Sequence, residues 1–105
     1  MIQRAISREA VESCLRNARA DIVGLGVQRF ALFGSVVRDA ARPESDVDLL
    51  VEFLPGQKTF DRFMALADLL ESLLNRRVEL VTPESLSPFL KPYILASARD
   101  VVRTA

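Results

Sequence analysis

Between Val11 and Ile22 the apolar residues Val11, Cys14, Leu15, Ala18 and Ile22 recur at helical spacing. Ser7, followed by Arg8-Glu9, predicts the N-cap of that helix with an acid in its first turn. Gly24 and Gly26 are expected to stop it. Val27 to Phe33, rich in Val, Phe and Leu, predicts a short strand. That strand breaks off at Gly34-Ser35, where a short helix through about Asp39 is expected. After the turn-forming Arg42-Pro43-Glu44-Ser45, the nearly continuous apolar run Val47 to Phe53 predicts a second strand. Pro55-Gly56 marks a turn. Thr59 or Asp61 is expected to cap the next helix, whose apolar face reads Phe60, Phe63, Met64, Ala67, Leu70 and Leu74. The Phe60-Phe63-Met64 stripe has helical period and is expected in the core. Arg76 to Val81 predicts a third strand closed by Thr82-Pro83. Ser87-Pro88 predicts an N-cap with Pro at the first helical position, opening a helix to about Ala98. The last residues suit either a fourth strand or a helix. Taken in order, these elements predict an α/β (α+β) fold, a small mixed sheet with helices packed against it.

The length of 105 residues fits one domain, 1–105, with a single modest core. Fourteen basic residues balance fourteen acidic ones, so no bulk positive field argues for nucleic acid. Histidine is absent, which removes every Ser-His, Cys-His and His-metal mechanism. Catalysis is left to carboxylates, Arg, hydroxyls and an oxygen-loving metal. The single Cys14 cannot form an internal disulfide, and its place on a helical apolar stripe suits the core better than a reactive thiol. No apolar run approaches the roughly 18 residues that span a bilayer. Met1-Ile2-Gln3-Arg4 lacks the apolar stretch of a signal peptide, so a cytoplasmic protein is expected.

Two segments place polar residues where apolar strands would otherwise run on. In Phe33-Gly34-Ser35-Val36-Val37-Arg38 a strand runs into Gly-Ser at a helix start, exposing backbone N–H groups that suit an anion. Gly34 lets a phosphate approach, the Ser35 hydroxyl can donate, and Arg38 adds charge one turn on. A tight turn with a capping Ser is the plain alternative, as is a surface ion pair of Arg38 with Glu44 or Asp39. In Ser45-Asp46-Val47-Asp48-Leu49-Leu50-Val51, Asp46 and Asp48 project side by side while Val47, Leu49, Val51 and Phe53 enter the core. Two fixed carboxylates repel unless a cation sits between them, and an all-oxygen site suits Mg²⁺ or Mn²⁺. An acidic strand start facing water, with Ser45 capping the turn, is the alternative. Glu79, centred in Arg77-Val78-Glu79-Leu80-Val81, is the candidate third carboxylate, against a plain solvent-facing strand acid. Glu52 shares a face with Asp48 and is the fallback.

Gly34-Ser35-x-x-Arg38, six residues, then Ser45-Asp46-x-Asp48-Leu49 resembles the signature of the DNA polymerase β-like nucleotidyltransferase superfamily. The length and the later Val78-Glu79-Leu80-Val81-Thr82-Pro83 look most like its minimal members, the MNT-domain proteins often found as antitoxins of HEPN-domain toxins. The resemblance implies Mg²⁺-dependent transfer of AMP, or another NMP, from ATP or another NTP to an acceptor hydroxyl, releasing pyrophosphate. In the minimal antitoxins the implied acceptor is a tyrosine of the partner HEPN toxin. It further implies that Gly34, Ser35, Arg38 and Ser45 hold the triphosphate, and that Asp46, Asp48 and Glu79 bind two Mg²⁺ ions, with Mn²⁺ as the substitute. Two positions depart from the pattern. The third carboxylate is usually Asp, and Glu79 is one methylene longer where a site tolerates only about 0.5 Å. Residue 39 is often Gly, and Asp39 replaces it with a residue that accepts a left-handed backbone better than most.

A chain this short has room for the catalytic core and little else, so the acceptor is expected on a partner, in a homo- or hetero-oligomer and away from membranes. The rival from another class is a degenerate nucleotidyltransferase that neutralises a toxin by docking alone. Transfer to a small molecule calls for an acceptor domain that these residues do not supply. Arg76-Arg77 reads as a solvated strand start, and nothing in the sequence selects Lys58, Arg62 or Lys91 for a ligand.

Overall fold

The computed structural model describes residues 7–34 and 46–103. Ser35, Arg38 and Ser45, the expected short helix through Asp39 and the turn at 42–45 lie outside the described residues. Helix α1 (Arg8–Asn17) begins where expected, with the Ser7 hydroxyl accepting from the Ala10 N–H at 3.1 Å. It does not run on to Gly24. At Ala18 the backbone leaves helical geometry (φ −97°, ψ 13°), and α2 (Arg19–Gly24) starts anew. Asn17, a weak helix former that competes for backbone hydrogen bonds, sits at the break. Gly24 remains inside α2, and Gly26 (φ +85°) makes the left-handed exit.

Strands β1 (Val27–Phe33) and β2 (Val47–Phe53) form where the apolar runs predicted them. Helix α3 (Phe60–Leu74) is capped by Thr59, whose hydroxyl accepts from the Arg62 N–H, and ends at left-handed Asn75. Its buried face differs from expectation: Leu66, Leu70 and Leu74 are buried and Phe63 packs beside them. Phe60 is 78% exposed and Met64 41%, so neither belongs to the core. With ten apolar residues in fifteen, α3 carries two competing stripes, and packing against α1 selects the leucine one. Strand β3 (Val78–Val81) leads to a 3₁₀ turn at Pro83–Ser85.

Helix α4 (Lys91–Ser97) starts later than Ser87-Pro88 suggested. Ser87 instead builds a turn: its hydroxyl accepts from the Phe89 N–H, and its carbonyl accepts from Leu90 and Lys91. The last residues form strand β4 (Arg99–Arg103). The sheet order is β3-β2-β1-β4, with β2–β3 parallel and the other pairs antiparallel, which makes it the small mixed sheet expected.

The two faces of this sheet differ in kind. Val27, Phe30, Leu32, Val47, Leu49 and Val51 point into the core under α1, α2 and α3. Glu12 of α1, only 3% exposed, pairs with Arg99 and ties that helix to β4. On the other face, residues paired across strands form rows. One row holds Phe33, Asp48 and Glu79; the next holds Asp100, Ala31, Leu50 and Val81. Beyond them Arg29 pairs with Glu52 at 3.2 Å and with Asp100 at 2.6 Å.

Candidate active site

β1 ends against the strand that carries the paired carboxylates. Phe33 pairs with Asp48, and Gly34 turns the chain at φ +75°. A Cβ at Gly34 would overlap the Asp48 carboxylate, with Cγ at 3.0 Å and Cβ at 3.2 Å. Only glycine fits, on grounds of both backbone conformation and space. Gly34 is thereby held directly against Asp48.

On the other side Asp48 pairs with Glu79 in the parallel β2–β3 ladder. Neighbouring strands lie about 4.8 Å apart, so the two carboxylates rise side by side from one face. Asp48 is half-buried and Glu79 exposed. Asp46, half-buried just before β2, accepts from Arg77 Nε at 3.3 Å. The Val47 N–H donates to the Arg77 carbonyl at 2.9 Å and holds the start of β3 against β2. Arg77 and Glu79, two residues apart, thus stand opposite Asp46 and Asp48.

This donor set suits a hard divalent cation. Among the described residues no three acidic side chains gather closely enough to hold one ion, so the carboxylates form an open arrangement rather than a cage. Mg²⁺ characteristically takes one or two protein carboxylates and completes its octahedron with water and substrate phosphates. The Asp48–Glu79 pair, set beside Gly34 at the end of β1, fits that habit.

The fallback acid Glu52 is excluded from the site by its own chemistry. It lies at the far end of the face and is engaged by Arg29. Hydrogen bonding to Asp100 raises the Arg29 pKa above its ordinary value against the opposing effect of burial. Arg62 donates to the Gln57 carbonyl and side-chain oxygen, and Lys58 pairs with Glu84 at 3.1 Å. Glu84 is held below the usual carboxylate range by its own backbone N–H and then by Lys58. Arg77 is the site residue that sequence reasoning missed. Its spacing of two from Glu79 was the available signal, since such residues share a strand face.

Residues 13–101 match the family model described as Nucleotidyltransferase domain. The chain is 36% identical over 98 residues to the protein adenylyltransferase MntA of Thermococcus cleftensis, covering 92% of this chain and 95% of that protein. Its fold superposes on the structure of a minimal nucleotidyltransferase with a TM-score of 0.76 and 36% identity, over 89% of this chain and 94% of the other. It also superposes on a chain of a toxin–antitoxin assembly with AMP-PNP, with a TM-score of 0.70 and 25% identity, over 89% of this chain and 73% of that one.

Proposed function

The chain belongs to the nucleotidyltransferase-domain family, and from that membership we propose that it is a protein adenylyltransferase acting as an antitoxin. It transfers AMP from ATP to a tyrosine hydroxyl of a HEPN-type toxin. The observation that carries this is the row Phe33–Asp48–Glu79, which sets two carboxylates beside the left-handed Gly34 at one sheet end. The likeness to a protein adenylyltransferase and to a toxin–antitoxin chain with a nucleotide analogue supports the reading.

In the reaction the motif assigns Gly34, Ser35, Arg38 and Ser45 to the triphosphate. Asp46, Asp48 and Glu79 would hold Mg²⁺, or Mn²⁺ in its place. When bound, the metal supplies Lewis acidity at the phosphate and lowers the acceptor's pKa. Arg77 occupies one oxygen of Asp46 at 3.3 Å, a place that a metal ion would have to share or take over. The acceptor oxygen bonds to the α-phosphorus, the bond from that phosphorus to the oxygen bridging to the β-phosphate breaks, and pyrophosphate leaves. The acceptor's proton passes to the Glu79 carboxylate.

The test is transfer of α-labelled AMP to the cognate toxin. The wild-type chain labels it, and the double variant Asp46→Asn/Asp48→Asn does not. Equal labelling by both would refute the site. Calorimetry separates the reading from docking alone: Mg²⁺-dependent ATP binding supports transfer, and its absence in a chain that still neutralises the toxin favours docking.

A further inference from the structure

Tyr93 is the single tyrosine of the chain, and it is 75% exposed. It lies in the first turn of α4, and its phenol makes no hydrogen bond to another described residue. Several described hydroxyls are committed: Ser87 accepts from the Phe89 N–H, Thr59 from the Arg62 N–H, and Ser85 donates to the Thr82 carbonyl. A phenol, with a pKa of about 10, forms its anion far more readily than an aliphatic hydroxyl. Phe89 (83% exposed) and Leu90 (56%) precede Tyr93 by four and three residues, in the turn that leads into α4. They give an incoming protein surface an apolar hold beside the phenol.

Only Ala98 separates α4 from β4, and β4 is paired with β1 through Asp100–Ala31 and Arg99–Leu32. The C-terminal end of α4 is therefore tied to the sheet through β4. We propose that Tyr93 is itself an adenylylation site, modified by one copy of the chain acting on another. The proposal rests on the transferase reading above. Tyr93 Oη bonds to the α-phosphorus of ATP held by the second copy, that phosphorus loses its bond to the bridging oxygen, and pyrophosphate departs. The phenolic proton goes to the carboxylate that serves any other acceptor. The product carries an anionic nucleotide where an apolar patch stood.

The experiment mixes two full-length chains with ATP and Mg²⁺: Tyr93→Phe as donor, and Asp46→Asn/Asp48→Asn, with Tyr93 intact and a mass tag, as acceptor. The tagged chain is expected to gain one adenylyl group, mapped by peptide mass spectrometry to Tyr93, whereas neither chain alone gains any. Nitration of Tyr93 by tetranitromethane, without ATP or metal, is expected to match the rate of the unfolded chain. A slow, protected phenol overturns the proposal. So does an unlabelled acceptor alongside a donor that still adenylylates its HEPN-type partner, and that result leaves the transferase reading standing. A donor that labels neither protein overturns both.

Discussion

Two charged clusters sit at opposite ends of one sheet face, and their bookkeeping differs. At one end Arg29 bridges Glu52 and Asp100, and Arg103 adds a second contact to Asp100 at 3.3 Å. Two cations meet two carboxylates there. At the other end Asp48 pairs with Glu79 across the ladder, and Asp46 accepts from the guanidinium of Arg77. Asp48 and Glu52 belong to the same strand and the same face, four residues apart. The acid whose cation comes from a neighbouring strand serves the fold. Asp48 and Glu79, paired across β2 and β3, are the acids we assign to a ligand that brings its own positive charge. Carboxylates near strand ends are therefore best sorted by what the adjoining strands place opposite them.

The sharpest way to break this contrast is to neutralise one acid from each end. Asp48→Asn is expected to lower AMP transfer about 100-fold or more, since metal contacts supply several kcal/mol to the transition state. Glu52→Gln should leave transfer unchanged. Comparable losses in a labelled-ATP assay would erase the distinction. Gly34→Ala adds a Cβ against the Asp48 carboxylate at a left-handed residue. It should cut transfer about tenfold and cost about 1–3 kcal/mol in urea unfolding. Gly56→Ala, at φ +77° with open space around it, is the control and should show the backbone strain alone, with transfer intact.

Arg29→Met reverses the pattern. It strands Glu52, leaves Asp100 to Arg103 alone and should cost about 1–2 kcal/mol of stability, while the folded fraction keeps its transfer rate. Arg77→Gln releases Asp46 from an exposed pair. Stability should change by less than about 0.5 kcal/mol, and Mn²⁺ titration without nucleotide should show tighter binding. Weaker Mn²⁺ binding would make Arg77 a support of the site, not a competitor.

The smallest expected effect belongs to the surface pair Lys58–Glu84, distant in kind from both clusters. Glu84 is held below its ordinary pKa of 4.5, so its contribution is complete above that value and lost as the pH falls below it. At 62% exposure the contribution is a few tenths of a kcal/mol. The destabilisation caused by Glu84→Gln should be present at neutral pH and vanish in acid. A pH-independent difference would point to lost packing instead.

Local signals foretold much of this. The strands Val27–Phe33 and Val47–Phe53, the Ser7 cap and the spacing of Gly34, Asp46 and Asp48 were all legible, because alternation, capping and glycine requirements act within a few residues. The face of Asp48 opposite Val47 and Leu49 followed from strand geometry alone. What failed to read correctly involved choices between near-equal local options. Phe60 and Met64 lay on a plausible stripe, but α1 selected Leu66, Leu70 and Leu74. Ser87-Pro88 carried a helix-start signature and became a turn.

Sequence alone determined the strands, the mixed α/β character and the residue types capable of phosphoryl chemistry, since each depends on short-range periodicity and side-chain functional groups. Tertiary structure decided which carboxylates stand together. The parallel pairing of β2 with β3 put Glu79 beside Asp48, and the antiparallel pairing of β1 with β4 brought Asp100 to Arg29 and left Glu52 spent on an ion pair. It also brought Arg77 to Asp46, across 31 residues of chain. Pairings of that range follow from strand order and register, which the burial of whole faces settles and no local run of residues records.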